Sequence, residues 1–405
     1  MLTQTERACL VIADISGYTG YLAGSELDHA QDVLADLLEV VVGGLAPVLR
    51  LAKLEGDAVF TYAPEPEVDG SMLLDILENC YFAFRRRIQS IRRATTCPCN
   101  ACVLIPNLNL KFCVHDGTFV RQRIAGSEEL AGRDVILVHR LLKNSVTETL
   151  GLHGYGLLTR ASVEAMKLDP SALGMREHRE NYEHLGEVLG YIHNLERRWT
   201  QVQAVHRVFL TREDADMTVD FFFPAAPPLV WEFLTAPDRY QQWAPDIRRR
   251  EENTAGRRGI GTMTHCVHGQ GAHMEEILDW RPFDYFTYLI KDPEMGVIKV
   301  TAEFAPSDGG TQLRYSSRME NPEVRAMLDN PEQRPMVEQQ GKEHAHFLQE
   351  IFAHLREVLA QQMAARRDDL AATEEARREL QAAAARYWEA RRAAGQVVPA
   401  DASTS

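Results

Sequence analysis

The spacing of apolar and polar positions changes along the chain, and each change predicts an element. Residues 8–13 (Ala-Cys-Leu-Val-Ile-Ala) are an unbroken apolar run, which predicts a buried strand ending at Asp14. Over residues 25–42, Val33, Leu37, Leu38 and Val41 recur at helical spacing, with Ser25 placed to cap the helix. Residues 51–62 hold two short apolar runs around Gly56-Asp57, a hairpin signal because Gly supplies the positive φ such a turn requires. That turn lifts Asp57 to the tip, with Lys53 and Glu55 on the incoming strand and Pro64 and Pro66 ending the hairpin. A second helix, residues 71–92, buries Leu73, Leu74, Leu77, Phe82, Phe84 and Ile88. It ends in a basic cluster, Arg85 to Arg87 with Arg92 and Arg93, as a helix C-terminus favours.

Residues 108–114 alternate as a strand, and residues 119–124 read as its partner. A loop over 126–134 and a helix over 135–143 follow, and closing strands are expected at 156–159 and within 182–195. Charge without a core pattern after Leu210 predicts a linker. The boundaries expected are a first domain at 1–198, a linker at 199–215, a second domain at 216–362, and a charged helix with a disordered tail at 363–405. In the second domain a strand at 217–223 meets the breaker Pro224 to Pro228, and Pro228 suits the first position of a helix. Strands at 261–267, 273–280, 285–290, 296–305 and 311–319 then make an antiparallel sheet. A helix at 335–361 closes over it, with Phe347, Leu348, Ile351, Leu355 and Val358 facing inward. Residues 364–394 read as a charged, alanine-rich helix whose Leu370, Leu380 and Tyr387 give only a sparse heptad seam.

Length and composition narrow the class. A chain of 405 residues exceeds one ordinary core, and 45% hydrophobic with 25% charged residues describes a globular protein. No apolar run reaches the roughly 20 residues that span a bilayer, so no transmembrane segment is expected. An N-terminus without a basic region or cleavage site argues against secretion. Seven cysteines, an odd number, suggest a reducing, cytoplasmic setting. A net charge of −14 disfavours nucleic acid as a partner.

Chemistry concentrates at a few positions. If the strands carrying Asp14 and Asp57 are neighbours, their carboxylates converge at one end of a sheet. Such a pair makes a Mg²⁺ (or Mn²⁺) site that still needs phosphate oxygens to complete it. Cys97, Cys99 and Cys102 lie within six residues and can reach one tetrahedral Zn²⁺, with Cys113 or His115 as a fourth ligand. The alternative is a reduced surface loop or a redox-responsive thiol cluster. His265, His268 and His273 read as ordinary hairpin residues, since His265 and His268 point to opposite faces of a strand.

Ala13-Asp14-Ile15-Ser16-Gly17-Tyr18-Thr19, Lys53-Leu54-Glu55-Gly56-Asp57 and the stretch from Lys111 to Gly117 resemble, in order and spacing, three motifs of class III nucleotidyl cyclases. The resemblance spans roughly residues 5–195. It implies a ferredoxin-like βαββαβ fold and a nucleoside triphosphate substrate, with ATP favoured. It also implies metal binding by Asp14, Asp57 and the backbone of Ile15, and a triphosphate loop at Gly17, Tyr18 and Thr19. Lys53 and Glu129 then read the base, and Arg140 serves the nucleotide of a partner subunit, so the site requires a homodimer. The family's ribose-binding Asn falls on Ile136, which cannot hydrogen-bond a sugar. Losing one such bond costs on the order of 10²-fold in rate. From Met217 onward, Asp238 to Trp243, Gly259 to Thr262 and Ile277 to Phe283 resemble the START-like, polyketide-cyclase-like (SRPBCC) superfamily. That implies a helix-grip antiparallel sheet around an apolar cavity for a small molecule or lipid. The fold expected is therefore α+β in two domains with a C-terminal helix. The function is either a nucleotidyl cyclase with a ligand-sensing domain or a catalytically weak nucleotide- or lipid-binding signalling protein.

Overall fold

The computed structural model describes residues 5–393 apart from 66, 95–98, 125–126, 254, 269–270 and 294–295. The first sheet contains β1 (Thr5–Ser16), β2 (Arg50–Glu55), β3 (Ala58–Pro64), β4 (Asn109–Ile124), β5 (Ser127–Ala131), β6 (Tyr155–Thr159), β7 (Arg176–Tyr182) and β8 (Gly186–Asn194). Its order is β2-β3-β1-β4-β6-β8-β7, with β5 paired to β4. β1 is antiparallel to both β3 and β4, so β2-β3-β1-β4 has the strand order of a ferredoxin-like βαββαβ unit. The apolar run in β1 is unbroken because both faces of the sheet are covered. Val11, Ala13 and Ile15 pack under the helices Leu27–Leu45 and Gly70–Ala94. Leu10 and Ile12 pack with Phe60 and Tyr62 against Val135 and Val138 of the helix Arg133–Arg140.

Three local expectations fail. Residues 119–124 are not a partner strand; they continue β4, which pairs with β1 from Asn109 to Val120. Gly117 is the reason. It makes no turn, but a Cβ there would come within 2.5 Å of Asp134, whose carboxylate accepts the Thr118 N–H at 2.7 Å. The strand beside 119–124 is β5, which lies in the stretch expected to be a loop. Finally, Tyr18–Gly24 forms a short helix, so Ser25 follows that helix and does not cap the next one, whose N-cap is Glu26.

The second sheet is antiparallel throughout, in the order β10-β11-β12-β13-β14-β15-β9. Its strands are β9 (Met217–Phe223), β10 (Ile247–Glu252), β11 (Met263–His268), β12 (Gly271–Arg281), β13 (Tyr285–Asp292), β14 (Gly296–Ser307) and β15 (Gly310–Met319). The helices Pro227–Thr235 and Pro237–Trp243 pack on it, as does the helix Arg334–Ala393. The last runs unbroken through the position where two helices were expected to divide. It buries Leu348, Phe352, Leu355 and Leu359, while Phe347, expected inside, is half exposed. Trp231 sits edge-on to Trp280, Phe283 and Phe286 and tilted against Phe304, and this cluster centres the core. The expected tail beyond Gly395 lies outside the described residues.

The two sheets are joined through a buried ionic cluster. Arg257, between β10 and β11, donates to Glu78 Oε1 at 2.7 Å, to Glu78 Oε2 at 2.8 Å and to Asp75 Oδ1 at 3.1 Å. Arg198 and His193 meet the same Glu78 at 2.9 and 2.7 Å. Asp75 and Glu78 are 1% and 2% exposed. Burial favours the neutral form of Glu78, but Arg257, His193 and Arg198 outweigh it and hold the carboxyl well below its usual range. For Asp75 burial prevails over Arg257 and pushes the carboxyl up to about 6. Arg258 pairs with Asp69 at 2.9 Å, and its backbone N–H reaches Ser71 Oγ at 2.9 Å.

Candidate functional site

Antiparallel pairing of β1 with β3 sets Asp14 opposite Ala58, one residue beyond Asp57. Gly56, at φ 66°, makes the turn that brings Asp57 back to the rim, and the Ile15 N–H reaches the Asp57 carbonyl at 3.4 Å. The two carboxylates converge as expected. Burial, and then the charge of Asp14, push the Asp57 carboxyl up to about 6. A third group shares the site and was not anticipated. β4 places Lys111 opposite Asp14, with its Nζ 3.1 Å from Asp14 Oδ2 and 3.1 Å from the Leu142 carbonyl. Gly17 has φ 87°, and a Cβ there would sit 3.0 Å from the Asn107 carbonyl. Tyr18 packs partly into the core and Thr19 is exposed. These residues therefore begin a short helix where an open loop was expected.

Lys53 and Glu129, the two residues expected to read a base, also meet. Lys53 Nζ lies 3.0 and 3.3 Å from the two carboxylate oxygens of Glu129, and that bond raises the Lys53 ammonium. Arg140 is exposed on the helix Arg133–Arg140 and has no ion-pair partner among the described residues. Ile136, one turn earlier on that helix, is 56% exposed. His139 ties the helix to the hairpin, with its Nε2 3.0 Å from Glu55 Oε2 and its ring edge-on to Phe60.

The cysteine expectation is corrected in part. Cys97 lies outside the described residues. Cys99 and Cys102, both half-buried, belong to or adjoin the short helix Asn100–Leu104. Burial and these two thiols push the Tyr21 hydroxyl up to about 12. Cys113 cannot join them. It is buried among Leu10, Ile12 and Phe60, on the face of the sheet opposite the one that Cys99 packs against. His115, two residues further along β4, is also turned from the cysteine loop. Its Nδ1 lies 2.9 Å from Thr159 Oγ1, and burial lowers its pKa, which suits a structural histidine.

The second domain encloses a cavity of about 130 Å³ between the sheet and the helix Arg334–Ala393. Its wall is mostly apolar, from Trp280, Phe286, Leu348 and Phe352, with Tyr240, Tyr288 and Tyr315 among them. A polar patch interrupts it, and the alternation pattern does not reveal it. Arg249 and Glu251 face inward from β10, so that strand carries charge where apolar residues signal a core. Arg249 bonds Glu275, donates to the Leu234 carbonyl at 3.1 Å and lies 4.3 Å above the Tyr240 ring. His273 does not behave as an ordinary hairpin residue. It lines the cavity with Cys266 and Glu275, whereas His265 is exposed. Trp280 borders the same cavity, and its Nε1 donates to Asp75 in the first domain at 3.1 Å.

Among the described residues no helix is long and apolar enough to cross a membrane. Residues 34–149 match a family described as "protein of unknown function (DUF2652)". An uncharacterized protein of Mycobacterium tuberculosis is 42% identical over 113 residues, which are 28% of this chain and 52% of that protein. The chain therefore spans about half the length of this curated relative. Solved structures similar over the N-terminal half include the guanylyl cyclase Cya2, at 13% identity and a TM-score of 0.36 over 47% of this chain and 93% of that one. Another is the adenylyl cyclase CyaB from P. aeruginosa, at 15% identity and a TM-score of 0.36 over 48% and 96%. A protein from Mesorhizobium loti, MLL2253, matches at 18% identity with a TM-score of 0.28 over 36% and 96%. Residues 214–357, which span the whole second sheet and the start of its long helix, match the family described as "polyketide cyclase / dehydrase and lipid transport".

Proposed function

We propose that the first domain is a class III-type nucleotidyl cyclase site acting as a homodimer, and that the second domain senses an apolar ligand. The observation that carries this reading is the convergence of Asp14 and Asp57 at the sheet rim. Their two carboxylates, with the Ile15 backbone, suit a hard divalent cation with room for phosphate oxygens. When bound, Mg²⁺ or Mn²⁺ supplies charge neutralisation for the triphosphate and lowers the barrier to attack by the ribose 3′-hydroxyl. Gly17 lets the backbone approach the triphosphate. Lys53 and Glu129, already bonded to each other, would exchange that bond for the edge of the base. Arg140, exposed and without an ion-pair partner among the described residues, would reach the α-phosphate bound by a second copy and stabilise charge developing there. Trp280 would link the domains, since one side borders the cavity and its indole N–H holds Asp75. A ligand that turns this ring would load the helix Gly70–Ala94.

Two features favour a second reading, a binding module with little turnover. Lys111 already neutralises Asp14, and Ile136 leaves the ribose without its hydrogen bond. Purified protein with ATP or GTP and Mg²⁺ or Mn²⁺ separates the two. Release of pyrophosphate and cyclic nucleotide that vanishes in Asp57→Ala supports the cyclase. Metal-dependent nucleotide binding without release supports the module, and neither activity refutes both.

A further inference from the structure

β11 and β12 pair so that Cys266 stands directly across from His273, and Glu275 follows on the same face of β12. The Sγ of Cys266, a ring nitrogen of His273 and a carboxylate oxygen of Glu275 all lie within 4.8 Å of one another. Among the described residues no other group of three such side chains meets this spacing. Ligands of tetrahedral zinc stand roughly 3.3–3.8 Å apart, given Zn–N, Zn–O and Zn–S lengths of about 2.0–2.3 Å, so a small closure would bring these three into register. We propose that Cys266, His273 and Glu275 bind zinc in the cavity wall, leaving its fourth position open toward the cavity.

The donor set decides the metal. One thiolate, one imidazole and one carboxylate suit zinc, whereas Mg²⁺ and Ca²⁺ take oxygen ligands. The surroundings supply what such ligands need. Arg249 holds Glu275 Oε2 and is itself fixed by the Leu234 carbonyl and the Tyr240 ring, which leaves Oε1 turned to His273 at 3.3 Å. A ligating carboxylate held by a second partner in this way is a recurring feature of metal sites. A thiolate and a carboxylate offset the dication, and because Glu275 is also the counter-ion of Arg249, the loaded cluster carries one net positive charge. The open position faces a small cavity lined by Trp280, Phe286, Tyr288 and Tyr315. The ligand it would take is a compact, largely apolar molecule with one oxygen donor, or water in its absence. This inference is independent of the cyclase reading, which concerns Mg²⁺ or Mn²⁺ at the other domain.

The experiment uses the full chain, stripped with chelator and titrated with Zn²⁺ and, in parallel, Co²⁺. We expect one metal per chain at this site and a thiolate-to-cobalt charge-transfer band. Both should survive in a Cys99→Ser/Cys102→Ser variant, while Cys266→Ser abolishes the band and weakens zinc by at least about 100-fold. Glu275→Gln should weaken zinc similarly with the band retained at higher metal, which guards against a Cys266→Ser protein that merely misfolds. No stoichiometric metal in the parent chain overturns the proposal. So does metal that departs with Cys99 and Cys102 and stays in Cys266→Ser.

Discussion

Arg257→Ala tests whether the buried ionic cluster holds the two domains together. The guanidinium makes three bonds, to both oxygens of Glu78 and to Asp75, in a place where neither carboxylate meets water. Its removal leaves Asp75 with Trp280 as its polar partner from the second domain, while Glu78 keeps Arg198 and His193. Breaking a buried pair by deleting one partner costs about 3–5 kcal/mol, and the bonds that Glu78 retains place this case near the lower end. The loss is localised at the domain interface, so the expected readout is uncoupling. A single calorimetric transition should split in two, and protease should cut near residues 205–216 at least about 100-fold faster. The sign of the pH dependence follows from both carboxyls. Asp75, held at about 6, favours the folded state while protonated, and that contribution fades as pH rises through 6. Without Arg257 its pKa climbs further and the penalty at neutral pH grows. Glu78 contributes above its ordinary value, and part of that contribution disappears with Arg257. The variant should therefore be much weaker than the parent near pH 8 and closer to it near pH 5. A change below about 1 kcal/mol near pH 8, or an equal change at both values, would refute the reasoning.

Three other outcomes are expected. Because Asp57 titrates near 6, Mn²⁺ binding at the rim should weaken about tenfold per pH unit below that value, as one proton competes with the metal. Calorimetric titrations giving a flat affinity between about pH 5 and pH 8 would contradict it. Lys111→Met removes the cation 3.1 Å from Asp14 and should strengthen Mn²⁺ binding about tenfold or more; weaker binding in a folded variant would mean that Lys111 supports the site. Trp231→Ala empties the centre of the second core and should cost about 3–5 kcal/mol in denaturant unfolding of that domain. A loss under about 1 kcal/mol would show that the ring cluster collapses to fill the space.

The sequence carries the architecture where local pattern and tertiary packing agree, and misleads where one residue type serves two purposes. The unbroken run in β1 announces a strand covered on both sides, and Gly56 between apolar runs announces a turn; both are as expected. Gly117 gives the same signal for a different reason. It provides room for Asp134, not a positive φ, and the expected pair of strands is one strand. β10 goes unrecognised because its inward positions include Arg249 and Glu251, which line a cavity where a core strand would carry apolar residues. The cavity cluster is equally hidden. Cys266 and His273 mean little apart, and their meeting depends on the hairpin register. The rim shows both cases side by side. Asp14 and Asp57 are visible because the first closes an apolar run and the second stands at the turn between two. Lys111 looks like the polar half of an alternating strand until β4 is laid against β1. With Leu10 across from His115 and Ile12 across from Cys113, Asp14 must face Lys111. A divalent cation there would have to displace an ammonium from Asp14 and, below about pH 6, a proton from Asp57. The charge state of the pair is therefore set by strand register, which neither motif encodes by itself.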